Sequence, residues 1–263
     1  DDPLTSARPG ELGRALGPGG ERCKVRDCEQ TVGLRDQPVE GQRGKPLVHR
    51  LAGHTQHLGK LGLGKTAPEL GPAGLYDLDL SHASLTWKIS HFGLSNYTAR
   101  FTGISGTLDF DPEDLSASQL DITVDPTSVE TDYPFDFKAG HPDSPFDSFD
   151  QEISESETYF NSSAFPEITF KSTDVTATGP NTGTVTGDLT FRGVTKPVTL
   201  DVTYNGTASF PWAPDSPRLG FSATGSLKRS DFGLDFMVPS LGDEVDLLIE
   251  AEFAKPADAS ESE

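Results

Sequence analysis

Two stretches near the start of the chain carry residue types that could bind phosphate or metal. The segment GKLGLGKT at 59–66 matches the G-x-x-x-x-G-K-[ST] pattern of a phosphate-binding loop. That loop works only between a buried strand and a helix whose N-terminus faces the phosphates. Pro68, Gly71, Pro72 and Gly74 follow closely and disfavour a helix, so nucleotide binding is not expected.

The cysteines and three histidines of the same region offer zinc ligands. Cys23 and Cys28 form a pair, and His49, His54 and His57 form a cluster. The cluster lies too far from the pair for the common zinc-finger spacing. A local disulfide or two free thiols account better for the cysteines, and no metal site is predicted.

The rest of the chain lacks the usual catalytic motifs. Beyond residue 75 there are three histidines and no cysteine, and neither G-x-S-x-G nor H-E-x-x-H occurs. We therefore predict no catalytic residue and no enzymatic activity. An enzyme built on a barrel remains an alternative, and it requires an acid–base pair inside the cavity.

Composition divides the chain near residue 75. Residues 1–74 contain 11 of the 21 Lys and Arg, 14 of the 27 Gly and no aromatic residue, whereas 32 of the 41 Asp and Glu lie in residues 75–263. A segment without aromatic residues buries too little surface to offset its ordering entropy. We predict a low-order segment at 1–74, a folded domain at 75–254 and an acidic tail at 255–263.

The charge and hydropathy of the chain exclude some partners. The formal net charge of −20 disfavours binding to nucleic acid and to anionic membranes. The sequence contains no run of about 20 apolar residues, so no integral membrane helix is predicted.

From residue 83 onward, apolar and polar residues alternate with the period of a β-strand. GDLTFRGVTKPVTLDV at 187–202, for example, predicts two strands joined by a turn. About eight such strands follow one another, with one short helix predicted within 151–160. The alternation is compatible with a β-sandwich that has a solid core and with a closed barrel that holds a ligand.

The choice between these two folds rests on five sequence motifs that resemble those of a known family. They are HFGLSNYTARFTGISGTLDFDPED (91–114), FPEITFKST (165–173), GDLTFRGVTKPVTLDV (187–202), KRSDFGL (228–234) and GDEVDLLIEAEF (242–253). In this order, over residues 76–253, they resemble the YceI-like family of polyisoprenoid-binding proteins. The resemblance implies an all-β fold: an eight-stranded antiparallel lipocalin-like barrel with one or two short helices, after a largely irregular N-terminal segment.

The resemblance also implies a function, which is binding, transport or storage of an amphiphilic lipid in the barrel lumen. The expected ligand is an isoprenoid quinone, a polyprenyl lipid or a fatty-chain lipid, with no cofactor, and the expected location is periplasmic or extracellular. A homodimer remains open, and a β-sandwich interaction or adhesion module without a ligand is the main alternative. The residues expected to line the lumen are Leu85, Trp87, Ile89, Phe92, Leu108, Phe110, Ile122, Val124, Phe160, Phe165, Ile168, Phe170, Leu189, Phe191, Val198, Leu200, Val202, Phe221, Phe232, Leu247 and Ile249.

Polar contacts to a ligand head group are harder to place. His91, Arg100 and Arg229 are the candidates, because cations are few in this acidic domain. Pairing with the many carboxylates is the alternative for the two arginines.

One insertion departs from the family pattern. The acidic, aromatic-rich stretch 132–156 stands where the family has a shorter run, and Glu152 and Ile153 occupy the family's His–Leu position. Head-group contacts of that region therefore do not carry over. We predict a lid over one mouth of the barrel, formed by Phe135, Phe137, Phe146 and Phe149; the alternative is a surface loop packed outside the barrel.

Overall fold

The computed structural model of the protein describes residues 68–256. The predictions for the cysteine pair, the histidine cluster, the phosphate-loop pattern and most of the low-order N-terminal segment fall on residues outside this range. Most of the acidic tail, 257–263, lies outside it as well.

The described residues form a predominantly β structure. The strands are β1 (Gly74–Leu78), β2 (Ser84–His91), β3 (Ser95–Phe101), β4 (Ile104–Phe110), β5 (Gln119–Val124), β6 (Val129–Glu130), β7 (Ile168–Ala177), β8 (Thr182–Phe191), β9 (Val194–Phe210), β10 (Ala213–Lys228) and β11 (Leu241–Ala254). Two short α-helices, α1 (Phe137–Gly140) and α2 (Phe149–Glu155), lie between β6 and β7. Short 3-10 helices occupy Leu80–His82, Leu115–Ala117, Pro126–Ser128 and Arg229–Phe232.

The sheet closes into an eight-stranded antiparallel barrel. The hydrogen-bonded order is β1, β4, β5, β7, β8, β9, β10 and β11, and β11 pairs back onto β1. Strands β2, β3 and β6 extend the sheet beyond this ring, because β2 pairs with both β11 and β3, and β3 pairs with β6. The predicted barrel is confirmed, and the sandwich alternative is wrong because the ring has no open edge.

Alternation sets which side chains face the interior. On β9, Val198 and Leu200 are buried inside the barrel, whereas Thr199 and Asp201 are exposed outside. On the outer face, hydrogen bonds between hydroxyl groups link neighbouring strands, including the bond between Thr186 and Thr199 at 2.8 Å. The apolar stripes of the sequence therefore become the inner wall.

The β8–β9 turn shows why glycine stands at its tip. Arg192 and Gly193 both have positive φ, at 49° and 73°, as tight hairpin turns require. The ring of Phe165 covers this turn so closely that a Cβ on Gly193 would lie 2.9 Å from a ring carbon. A residue with a side chain at this position would be strained and would displace Phe165.

One end of the barrel, which we call the Tyr76 end, contains a compact aromatic cluster. Tyr76 and Leu219 are fully buried there beside Phe253. The extended segment before β1 lies against this cluster: the Tyr204 hydroxyl donates to the carbonyl of Glu69 at 3.2 Å, and the Gly71 N–H donates to the Tyr204 hydroxyl at 3.2 Å.

The opposite end, the α2 end, carries the insertion and two connecting segments. Helix α2 begins after Ser148, whose hydroxyl accepts from the N–H of Gln151 at 3.0 Å. This cap places the helix at Phe149–Glu155, slightly before the predicted 151–160 range. The β2–β3 turn and the β10–β11 connection lie at the same end, because His91 pairs with Leu241.

Candidate functional site

A continuous cavity of about 700 Å³ occupies the barrel interior. Its walls are almost entirely apolar and come from the inner face of the closed sheet and from α2. The volume lies within the range of about 300–1,000 Å³ that is typical of small-molecule sites.

The centre of the barrel is not packed solid. Leu247 and Ile249 of β11 and Trp87 of β2 point inward, yet each keeps partial accessibility. Protein interiors normally pack at crystal-like density and leave few voids larger than a water molecule. Partial exposure of inward side chains therefore reflects open space within the barrel.

A few polar side chains line the α2 end of the cavity. His91, Tyr159 and Arg229 are among them. Burial raises the pKa of the Tyr159 hydroxyl above its usual value, so the phenol stays neutral and able to donate. Burial also lowers the pKa of the Arg229 guanidinium from its ordinary value, against the opposing effect of nearby carboxylates.

Most of the guanidinium of Arg229 is already engaged by the backbone. Its Nε donates to Gly242 O at 2.7 Å, its Nη1 to Leu234 O at 2.7 Å, and its Nη2 to Phe236 O at 2.8 Å and to Leu241 O at 3.0 Å. Arginine has five N–H groups, so one, on Nη1, has no hydrogen-bond partner among residues 68–256. The side chain joins the two ends of the β10–β11 connection.

The insertion is anchored to the barrel by aromatic packing. Tyr133 lies 5.6 Å from Phe149 and 6.1 Å from Phe137 between ring centroids, and Phe149 lies 6.1 Å from Tyr97 of β3. Phe149, Tyr133 and Ile153 line the cavity at the α2 end. The insertion therefore forms part of the cavity wall at this end.

Comparison with known proteins assigns the family of this barrel. The family model described as the YceI-like domain matches residues 76–253. The protein YceI of Escherichia coli is 34% identical over 176 residues, which cover 67% of this chain and 83% of that protein. The chain belongs to the YceI-like family.

Solved structures agree with the YceI-like assignment. The YceI protein of Campylobacter jejuni matches with a TM-score of 0.50 and 29% identity, over 65% of this chain and 91% of that one. BcnA of Burkholderia cenocepacia matches with a TM-score of 0.54 over 66% of this chain and 98% of that one, and at 21% identity it shows the fold alone.

The structure brings the expected lumen residues of this YceI-like barrel together. All of the apolar positions proposed for the lumen line the cavity except Phe165 and Phe232. Phe165 precedes β7, and its ring packs against the β8–β9 turn. Phe232 is buried against Phe191 with 5.9 Å between ring centroids. Whether the lining residues contact a ligand stays a prediction.

The expected head-group and lid residues separate into two sets. His91, Arg229 and Phe149 line the cavity, whereas the other four lie away from it: Arg100, Phe135, Phe137 and Phe146. Arg100 is exposed on β3 and forms an ion pair with Glu130. Phe135 is 74% exposed, and Phe137 is buried within the insertion, stacked on His141.

Several lining residues were absent from the expected set. Some lie on strands, including Tyr97, Phe101, Val185, Tyr204, Ala223 and Val245, and others lie on α2 and the connecting segments, including Tyr133, Ile153, Tyr159, Phe236 and Met237. The alternation in SNYTARF, residues 95–101, could have identified the first two. The other strand residues follow the same alternation, whereas those of α2 and the connecting segments lie outside regular strands, where no period marks the inward side.

One group of potential metal ligands lies outside the cavity. Asp79, His82 and Glu252 bring ligand atoms within 4.8 Å of one another. Arg218 already lies among them, paired with Asp79 and 3.5 Å from Glu252. Hydrogen bonds from Ser81, Arg218 and His82 hold the pKa of the Asp79 carboxyl well below its usual value, so this group is a cation-paired cluster.

No helix within residues 68–256 has both the length and the hydropathy needed to cross a membrane.

Proposed function

We propose that this YceI-like barrel binds a long-chain amphiphilic lipid in its lumen and serves as a carrier or store for it. The observation that carries the proposal is the apolar cavity of about 700 Å³ where a solid core would otherwise lie. Each CH₂ group moved from water into such a site contributes about 0.8 kcal/mol. An isoprenoid or acyl chain supplies many such groups and few polar ones.

The polar residues of the cavity support a particular orientation of the ligand. His91, Tyr159 and Arg229 lie at the α2 end, the central walls are apolar, and the polar residues toward the other end, such as Gln119 and Asn181, include no Lys or Arg. A head group with oxygen acceptors fits this end, because the free N–H of Arg229 and the Tyr159 hydroxyl are donors. We therefore place the tail in the barrel and the head group, quinone-like, phosphate or carboxylate, near Arg229.

Native mass spectrometry of the purified protein tests the proposal. We expect a mass above that of the apoprotein, and organic extraction should release an isoprenoid or acyl-chain lipid. Protein stripped of lipid should regain the added mass when a polyprenol or a long-chain quinone is supplied. A clean apoprotein mass with no uptake of either compound would contradict the proposal.

The proposal includes a lid function for α2. Replacing Phe149 with alanine should accelerate release of a bound lipid about tenfold, the effect of ~1.4 kcal/mol of lost contact, because this ring lines the mouth and holds the insertion on Tyr97. Stopped-flow transfer of a fluorescent lipid to an acceptor measures the rate.

Phe135 supplies the matched control for the lid. It belongs to the same insertion but is exposed and does not line the cavity, so its replacement by alanine should leave the release rate unchanged. Equal rates for both variants and the wild type would show that α2 is a surface feature without a gating role.

Location, assembly and enzymatic activity are the remaining points of the proposal. We place the protein in the periplasm or outside the cell because of the family to which it belongs. A homodimer and the lack of enzymatic activity stay predictions.

A further inference from the structure

Two connections at the α2 end present large apolar side chains to solvent. Leu94 in the β2–β3 turn is 87% exposed, and Phe92 is half exposed. In the β10–β11 connection, Phe236, Met237 and Val238 are exposed in succession. We call these five residues the apolar tip. Clustered exposed apolar side chains are unusual on soluble proteins and mark interaction surfaces.

The two halves of the apolar tip are fixed to each other. The N–H of Phe92 donates to the carbonyl of Ser240 at 2.7 Å, and His91 pairs with Leu241. Phe92 and Met237 both have left-handed backbone, with φ of 53° and 57°, which is uncommon for bulky residues. Such strain persists where the surrounding structure enforces it and is often found at functional sites.

The apolar tip continues the wall of the cavity to the outside. Phe92, Phe236 and Met237 line the cavity and are also exposed, so they form its rim. Leu94 and Val238 lie beyond the lining, on the outer side of the same connections. A lipid chain leaving the lumen here meets apolar surface.

The charge of the residues around the apolar tip determines whether the tip can bind an anionic or a neutral surface. The chain has a net charge of −20, yet residues 90–96 and 236–242 contain no Asp or Glu. The acidic insertion at 132–156 lies at the same end of the barrel. An anionic surface would be repelled by the insertion and the rest of the domain, whereas a neutral one would not.

We propose that the apolar tip docks on the surface of a zwitterionic lipid bilayer and sets the barrel mouth against the membrane. The five side chains would enter the boundary between head groups and acyl chains, where amphipathic protein surfaces bind. This inference rests on the proposed lipid-binding function, because it supplies the route by which the lumen exchanges its ligand with a membrane.

Sedimentation with phosphatidylcholine vesicles tests the docking. We expect the wild type to sediment with the vesicles and the double variant Leu94→Ser/Val238→Ser to bind at least about tenfold more weakly, the factor that ~1.4 kcal/mol represents. Neither residue lines the cavity. Equal sedimentation of both proteins, or none by the wild type, would overturn the proposal.

A control variant separates the tip from general surface hydrophobicity. Trp212 and Leu248 are also exposed, on the β9–β10 turn and on the outer face of β11. The variant Trp212→Ser/Leu248→Ser should bind vesicles as the wild type does. Loss of binding in this variant equal to that in the tip variant would show that sedimentation is nonspecific and would overturn the assignment.

Vesicle charge provides a second discriminating measurement. Adding phosphatidylglycerol to the vesicles should weaken binding at low salt, and added salt should restore it, because screening shortens the range of repulsion to about 8–10 Å. Tighter binding to the anionic vesicles would contradict a neutral bilayer as the partner.

Uptake of a short-chain fluorescent farnesyl derivative, without vesicles, distinguishes failure of docking from failure of lipid binding. We expect the wild type and the tip variant to bind this probe equally. Probe binding by a wild type that does not sediment would overturn the docking and leave the lumen function intact. Sedimentation without probe binding would support the docking and contradict the lumen function.

Discussion

Replacing Val202 with phenylalanine is expected to abolish most lipid uptake while leaving the barrel about as stable as the wild type. Val202 points into the cavity, and its partners on the two neighbouring strands are Gly183 and Ala223. These small residues leave room for a ring. If the ring displaces roughly three CH₂ groups of ligand at ~0.8 kcal/mol each, affinity falls by about two orders of magnitude.

The stability of this variant distinguishes a cavity from a filled core. Adding a large side chain to a well-packed interior costs about 1–3 kcal/mol. In the open lumen the ring enters vacant space, so the free energy of unfolding should change by less than about 1 kcal/mol. Titration with a fluorescent polyprenyl or quinone analogue gives the affinity, and urea denaturation of the lipid-free protein gives the stability.

Thr203→Phe is the matched control for Val202→Phe. Thr203 is the next residue on β9, where it pairs with Ser222 and Thr182, and its side chain lies on the outer face. The same ring at this position should leave lipid affinity unchanged. A Val202→Phe protein that is destabilised but still binds lipid with wild-type affinity would contradict the luminal site.

The strands themselves could be predicted from local sequence, because the two-residue period of a strand decides which side chains share a face. Leu189, Phe191 and Val198 illustrate this, since each lines the cavity as the alternation predicts. Closure of the barrel is different. It depends on the pairing of β1 with β11, which are the first and last strands in the sequence of the domain. Alternation is equally compatible with a sandwich, and the family resemblance decided between them.

The mouth of the cavity was much less predictable than its walls. Phe236 and Met237 belong to an irregular connection, where side-chain direction depends on individual backbone angles such as the positive φ of Met237. Within the insertion, Phe135 and Phe149 have similar sequence surroundings. Only the folded helix α2 turns Phe149 toward the lumen and leaves Phe135 exposed.

Arg229 shows a further limit of sequence reasoning. Its presence in an acidic domain suggested either a ligand head group or a carboxylate partner. The partners in the structure are backbone carbonyls between residues 234 and 242. Every residue carries such a carbonyl, so no residue type in the sequence marks them, and only the path of the connection brings them together.

Replacing Arg229 with methionine is expected to lower the free energy of unfolding by about 3 kcal/mol, because buried carbonyls lose charged donors. Arg229→Lys should recover only part of this loss, since an ammonium group cannot reproduce the planar fork that reaches Leu234, Phe236 and Gly242. Urea denaturation of the lipid-free proteins measures both effects.

Arg100→Met is the control for this prediction, because it removes an arginine of the same domain that is exposed and paired only on the surface with Glu130. Such pairs contribute about 0–1 kcal/mol, so this variant should remain near wild-type stability. If Arg229→Met is as stable as the wild type and loses only affinity for lipid, then Arg229 contacts the head group and does not stabilise the β10–β11 connection. If both stability and affinity fall, and Arg229→Lys restores affinity more than stability, the guanidinium fixes the mouth while its charge also attracts the head group.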